Sequence, residues 1–196
     1  QISNSGAYNR LGLKPIDIIP PGIDLSIFTP KENPGTFGST DTIVLGTIGR
    51  TEPYKGTKTA LEAYRVLRSE CPQISMKVGF GNTEISDDIT IVDIKGDKAL
   101  SDYYRSIDVI VVACYGQYGA PHYPLIEAMA CGTLVVHTGY YPGTNENSWE
   151  AKEPAVMAVA QALRNAISAP EQERCEKARR ARKAVEDELS WGSVSA

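Results

Sequence analysis

No run of apolar residues in this sequence reaches the ~18–20 needed to cross a bilayer, so no transmembrane segment is expected. The four cysteines, Cys71, Cys114, Cys131 and Cys175, form no Cys-x-x-Cys pair. That absence argues against a zinc site and a disulfide scaffold, and leaves buried free thiols of a reducing compartment. Charge of one sign is lacking too: 20 Lys+Arg against 24 Asp+Glu give a formal −4, which offers no general attraction to nucleic acid or anionic lipid. Neither Gly-x-Gly-x-x-Gly nor a Walker loop follows the first strong strand, which removes the main sequence support for hydride transfer and ATP hydrolysis. Gly-x-Ser-x-Gly is also absent, and with it the Ser-His-Asp reading. An initiating methionine and an apolar leader are missing at Gln1, so the chain is expected to be a fragment.

What remains, with 42% hydrophobic and 22% charged residues, is the composition of a globular protein long enough for one generous domain. Residues 1–34 carry Pro15, Pro20, Pro21, Pro30 and Pro34 with one brief β-like run, Ile16 to Ile19, and form a lead-in segment. From Thr42 to Gly49 the chain is nearly all apolar and β-branched, as a strand buried on both faces must be. Ala60, Leu61, Tyr64 and Leu67 recur at helical spacing, which predicts a helix over Lys58 to Ser69. Strands are predicted at Ser75–Phe80, Ile89–Ile94, Asp108–Ala113 and Thr133–His137. A short helix is expected at Lys98–Ser106, and another at Leu125–Cys131, opened by Pro124 and stopped by Gly132. A loop over Thr138–Glu153 precedes two closing helices, the first burying Val156, Val159, Ala160, Leu163 and Ile167. Between Lys177 and Lys183 five basic residues are flanked by acids, which reads as a solvated helix face. Strands alternating with helices define an α/β fold, a Rossmann-like doubly wound parallel sheet. In such a sheet ligands bind beyond the carboxyl ends of the strands, which singles out the loops 49–56, 80–88, 94–98, 114–124 and 138–147.

Two of these loops carry chemistry. In Gly49-Arg50-Thr51-Glu52-Pro53-Tyr54-Lys55-Gly56 a glycine admits close approach to the backbone, and two cations five residues apart can converge on one anion, with a diphosphate the natural candidate. In the second, His122 to Val136, a loop feeds a helix whose free N–H groups face the ligand side, with Glu127 near its start. A carboxylate there either balances the helix dipole or accepts ribose hydroxyls. His122 lies in this loop, where it can hydrogen-bond a sugar or phosphate, whereas His137 at a strand end reads as structural. Tyr140, Tyr141, Asn145 and Glu146 follow a strand at its carboxyl end and are candidates to touch the same ligand.

Glu127-Ala128-Met129-Ala130-Cys131-Gly132, followed by a small residue and a Val-Val strand, resembles the donor-site motif of family 4 retaining glycosyltransferases of the GT-B architecture, two Rossmann-like domains around a cleft. Gly49-Arg50 with Lys55-Gly56 resembles that family's first donor loop. Pro20-Pro21-Gly22-Ile23-Asp24 with Phe28 and Pro30 is similar to its interdomain segment, Ser101 to Ala113 to its strand before the donor site, and Leu189-Ser190-Trp191 to its closing helix. The resemblance implies an interdomain segment at 1–34 and a nucleotide-sugar donor-binding domain at 35–196. It implies Arg50, Lys55 and Glu127 as the catalytic set, the two cations neutralising a diphosphate without a metal or other cofactor and Glu127 binding the ribose. Gly49, Gly119, His122 and Tyr123 would line the nucleotide-sugar site, the amides of Leu125 and Ile126 would hold phosphate, and Lys95 would face the base. A glutamate usual eight residues before Glu127 is replaced by Gly119, which puts the sugar in question. The Pro121-His122-Tyr123-Pro124 loop resembles certain bacterial polysaccharide rhamnosyltransferases. The implied activity is retaining transfer of a hexose or deoxyhexose from a nucleotide diphosphate sugar to a glycan or lipid-linked acceptor, in the cytoplasm or peripherally at a membrane. The acceptor domain would lie N-terminal to this chain, leaving the isolated domain inactive. A non-catalytic scaffold module of a polysaccharide-synthesis protein and an unrelated flavodoxin-like domain are the competing readings.

Overall fold

The β-branched run ahead of Gly49 forms β1 (Ile43–Ile48), with partners on both edges, and it organises the whole sheet. The computed structural model describes residues 21–37, 42–81, 88–115 and 121–194. Around β1 lie β2 (Ile74–Gly79), β3 (Ile89–Val92), β4 (Val109–Val112), β5 (Leu134–His137) and β6 (Trp149–Glu150), in the order β3-β2-β1-β4-β5-β6. Every pairing is parallel, from Ile43↔Ile74 through Leu45↔Val109 and Val109↔Leu134 to Val136↔Trp149. The strands step outward from β1 to β3, then the chain returns to place β4 on the other side of β1. That reversal opens a crevice over the carboxyl ends of β1 and β4.

Six helices complete the described fold. They are α1 (Thr57–Glu70), α2 (Gly96–Arg105), α3 (Tyr123–Ala130), α4 (Val156–Ser168), α5 (Glu171–Glu188) and a short α6 (Trp191–Val194). On one face Ala60, Leu61, Tyr64 and Leu67 of α1 and Val159, Ala160 and Leu163 of α4 cover Leu45, Met76, Val109 and Val111. On the other, Tyr103 and Tyr104 of α2, Leu125, Ile126 and Met129 of α3 and Ala181 and Val185 of α5 cover Ile110, Val112 and Val135. In β4 the alternation sends Val109 and Val111 to one core and Ile110 and Val112 to the other, as the two-residue period requires. All four are buried, which is why this strand has no polar residue. Ile23 and Phe28 bury in the second core, and the Ile23 amide donates to the Leu189 carbonyl at 2.8 Å, so the described part of the lead-in segment is tied to the end of the chain.

Several elements depart from expectation, among them β3, which ends at Val92 rather than Ile94, and α3, which begins at Tyr123 rather than Leu125. The predicted loop 138–153 contains β6, whose two residues carry no periodicity. Helix α2 begins two residues early at Gly96, which takes φ +81°. Strand β2 ends at Gly79, because Phe80 turns left-handed at φ +61°. The basic run on α5 is not simply solvated: Arg182 donates to the carbonyls of Phe28 and Ala130, both at 2.7 Å, and Lys177 donates to the carbonyls of Asn145 and Ser148 and lies over the Trp149 ring. Long side chains with buried stems can pin loops by their heads, a role that charge counting does not reveal. The Ile16–Ile19 run lies outside the described residues.

Candidate functional site

A cleft of about 260 Å³ opens over the β1–β4 crevice, lined by Thr47, Ile48, Arg50, Lys55, Val111, Val112, Cys114, Pro121, His122, Tyr123 and Pro124. Both expected cations line it. Gly49, between the lining residues Ile48 and Arg50, does not itself line the cleft; its amide donates to the Gly79 carbonyl at 2.7 Å, and a Cβ there would stand 2.8 Å from Val78 Cγ1. The Arg50 amide donates to Thr57 Oγ1 at 2.9 Å, which fixes the start of the loop. A 3₁₀ turn, Pro53–Lys55, then carries Lys55 into the cleft and ends on Gly56 at φ +73°. Only glycine fits at 56, because a Cβ would lie 2.0 Å from the Ala113 carbonyl oxygen. Among the described residues no carboxylate pairs with Arg50 or Lys55; the Lys55 ammonium lies 5.0 Å from the Tyr54 ring centroid.

His122 caps the start of α3 from extended backbone, and its carbonyl accepts from the amides of Leu125 and Ile126 at 3.0 and 3.1 Å. This corrects the expectation that those two amides hold phosphate: both are spent on the first helical turn, and the Leu125 and Ile126 side chains are core. Pro124 has no N–H, so Tyr123 supplies the amide without a partner at this helix start among the described residues. The His122 ring stacks on Tyr140 with centroids 4.9 Å apart. Its Nε2 lies 3.3 Å from Cys114 Sγ, whose thiol donates to the Lys55 carbonyl at 3.1 Å, so Nε2 carries the proton and donates to sulfur. Burial, and then the Lys55 ammonium, bring the His122 pKa down to about 4. Burial pushes the Cys114 thiol up to about 11, which keeps it protonated and a poor nucleophile. The positive charge offered to a ligand therefore belongs to Arg50 and Lys55.

Glu127 stands one turn into α3, beyond the Tyr123 and Pro124 that line the cleft, and is not itself among the lining residues. Its Oε2 accepts from the hydroxyl of Tyr104, which is fully buried in α2, at 2.7 Å. Burial raises the Glu127 pKa, Tyr104 opposes that rise, and the charge of Asp97 near the start of α2 adds to it. Tyr104 fixes one carboxylate oxygen, yet nothing in its local sequence marks it, since it precedes Glu127 by 23 residues. Lys95 is exposed and pairs with Asp93 at 3.0 Å, outside the cleft. Gly119 lies outside the described residues. Of the loop after β5, Tyr140 is buried and reaches the site through His122, whereas the Tyr141 hydroxyl donates to Glu188, Glu146 pairs with Arg180 and the Asn145 carbonyl takes Lys177. The last three are thus held toward α5 rather than gathered at the cleft. His137 is structural as expected: Nδ1 accepts the Gly139 and Tyr140 amides at 3.1 Å and Nε2 meets Ser148 Oγ at 2.9 Å. All four cysteines are free thiols, with Cys71 and Cys175 half-buried. Among the described residues no cluster of His, Cys, Asp or Glu is able to hold a metal ion, and no helix is long and apolar enough to cross a membrane.

A six-stranded parallel sheet of this order, with a cationic cleft at its switch point, defines a Rossmann-like domain of the kind that makes up half of a GT-B glycosyltransferase. The family described as Glycosyl transferases group 1 matches residues 42–169, and the chain belongs to that family. It is 30% identical over 165 residues to a D-inositol 3-phosphate glycosyltransferase of Pseudarthrobacter chlorophenolicus, covering 70% of this chain and 36% of that protein. The enzyme of the same name from Mycolicibacterium smegmatis is 31% identical over 142 residues, 62% of this chain and 31% of its own length. The chain thus spans about a third of these curated relatives. Among solved structures it is similar in fold to the C-terminal domain of a group 1 glycosyl transferase from Francisella tularensis, with TM-score 0.71 and 22% identity over 87% of this chain and 100% of that one. Sucrose-phosphate synthase from Thermosynechococcus elongatus superposes with TM-score 0.71 and 21% identity over 96% of this chain and 53% of that one. None of these relatives is named a rhamnosyltransferase, so the likeness of the Pro121–Pro124 loop to that group gains no support.

Proposed function

We propose that this chain is the donor-binding half of a GT-B glycosyltransferase that takes a sugar from a nucleotide diphosphate sugar, with retention, and that a further domain supplies the acceptor. The observation that carries this reading is the convergence of Arg50 and Lys55, without carboxylate partners among the described residues, on the cleft at the switch point. Developing charge on a departing diphosphate is stabilised by cations in a partly dehydrated site, and that is the task this reading assigns to the two side chains. The Tyr123 amide adds a donor at the start of α3, and Glu127, held by Tyr104, takes the ribose hydroxyls. A cleft of about 260 Å³ is small against the ~300–1,000 Å³ typical of small-molecule pockets, so part of the donor lies outside it, toward Glu127 and the loop after β3.

The acceptor in this reading is a glycan or a lipid-linked glycan. The curated relatives, named for D-inositol 3-phosphate, favour a second reading in which it is a small phosphorylated polyol. Either acceptor engages the other domain, so the chain alone is expected to bind nucleotide without transferring sugar. Calorimetric titration with UDP, GDP, TDP and ADP tests the donor reading. Binding of one of them, weakened by Arg50→Ala and by Lys55→Ala, supports it. Failure of all four, or binding indifferent to both substitutions, overturns it in favour of a scaffold module.

A further inference from the structure

Phe80 is the one non-glycine residue with positive φ among those described, at +61°. A bulky side chain in the left-handed region is strained and persists only where its surroundings hold it. Here they do: the Phe80 amide donates to the Val92 carbonyl at 3.1 Å, and the Gly79 carbonyl before it accepts the Gly49 amide. The strain wins no place in the interior, since Phe80 is 41% exposed and belongs to neither core. Strand register locates it. Ile48, Gly79 and Val92 stand at one level across β1, β2 and β3, so Gly49, Phe80 and Asp93 leave the sheet side by side. One flank is the Gly49-Arg50 loop that feeds the cationic cleft, and the other is the loop to α2, which ends at Gly96 with open space where a side chain would be.

We propose that the Phe80 ring is the stacking face for the base of the bound nucleotide. The inference rests on the donor reading, since it needs a nucleotide in the cleft. A flat apolar ring beside a phosphate-binding loop suits the face of a base rather than its hydrogen-bonding edge, and that edge is left to the backbone of residues 93–96.

The test is calorimetric titration of the wild type, Phe80→Ala, Phe80→Gly and Phe80→Tyr with the best-binding nucleoside diphosphate, and in parallel with inorganic pyrophosphate as a base-free probe. Loss of one base–aromatic stack predicts that Ala and Gly bind the nucleoside diphosphate about 5- to 150-fold more weakly. Tyr retains the affinity, and pyrophosphate binds all four proteins alike. Phe80→Gly keeps a residue suited to the left-handed backbone and so separates loss of the ring from loss of the turn. Unchanged nucleotide affinity in Ala and Gly overturns the inference while leaving the donor reading standing. Parallel weakening of pyrophosphate also overturns it, because the effect then belongs to the loop. A wild type that binds no nucleoside diphosphate removes the donor reading and this inference with it.

Discussion

Replacing Tyr104 with phenylalanine deletes a single oxygen from a fully buried side chain, and the structure says where the loss is felt. The hydroxyl donates to Glu127 Oε2 at 2.7 Å. Burial, and then the charge of Glu127, hold the phenol pKa well above its usual value, so it remains a donor throughout the accessible pH range. A hydrogen bond to a charged group is worth about 1.5–3 kcal/mol net, and one between neutral partners about 0.5–1.5. Tyr104→Phe is therefore expected to cost about 1.5–3 kcal/mol where Glu127 is ionised, and about 0.5–1.5 where it is protonated. The sign of the pH dependence follows from the folded pKa of Glu127, which is raised above the ordinary 4.5. Its carboxyl holds more protons in the folded state, so stability falls as pH rises from about 4.5 through the folded pKa and stays reduced above it. Without Tyr104 that pKa rises further, and the window of falling stability extends to higher pH. Urea unfolding of both proteins across a pH series measures this directly. A destabilisation independent of pH, or one below ~0.5 kcal/mol, would refute the claim that Tyr104 holds the ionised carboxylate.

Arg50→Ala and Lys55→Ala are each expected to weaken nucleoside diphosphate binding about 10- to 100-fold in calorimetry, the scale of a charge-assisted contact, with little change in urea midpoint. Lys55→Ala should also raise the pKa of His122, because the ammonium helps to depress it, and an NMR titration of the imidazole reads that shift. Gly56→Ala forces a Cβ to within 2.0 Å of the Ala113 carbonyl at a left-handed backbone, and is expected to cost roughly 2–4 kcal/mol in urea unfolding. Burial lowers the pKa of His122 and His137 from 6.5 to about 4. At 1.36 kcal/mol per pH unit each is worth roughly 3 kcal/mol, present above pH ~6.5 and lost as pH falls toward 4. Stability that is flat across that window would count against both assignments.

The sheet was legible because buried parallel strands advertise themselves: four apolar residues in β4 and the β-branched run of β1 leave few alternatives. The two cations were legible for a related reason, since loops at the carboxyl ends of such strands converge whatever their detailed shape. Tyr104 was not, because its value lies in a contact 23 residues away, and helical spacing marks it only as core. Nor was the fate of the Leu125 and Ile126 amides, which depended on the His122 carbonyl turning into the first helical turn. Lys177 and Arg182 were misjudged because a sequence gives the charge of a side chain but not the length of stem that its neighbours bury.

The distribution of ion pairs bears on what the cleft awaits. On α5, Arg179 and Arg180 pair with Glu176, Arg182 with Glu186 and Lys183 with Asp187, and Arg180 also reaches Glu146, so four of the five cations between Lys177 and Lys183 have carboxylate partners. Arg50 and Lys55 have no such partner among the described residues, though the loop that carries them is held at both ends: the Arg50 amide donates to Thr57 Oγ1, the Cys114 thiol to the Lys55 carbonyl and the Tyr115 amide to the Tyr54 carbonyl at 2.9 Å. Two cations fixed at one cleft repel each other, and surface pairs elsewhere add only ~0–1 kcal/mol apiece, so stability of the empty fold does not account for the arrangement. An anion between them relieves the repulsion at no cost in loop ordering, because the loop is already fixed. By linkage, the best-binding nucleoside diphosphate at 100 times its Kd should stabilise the protein by about 2.7 kcal/mol and raise the melting temperature by about 5–10 °C. The same concentration should do much less for Lys55→Ala, and added salt should erode the effect in the wild type. A melting temperature that rises equally in wild type and Lys55→Ala would place the anion elsewhere and separate the unpaired cations from ligand binding.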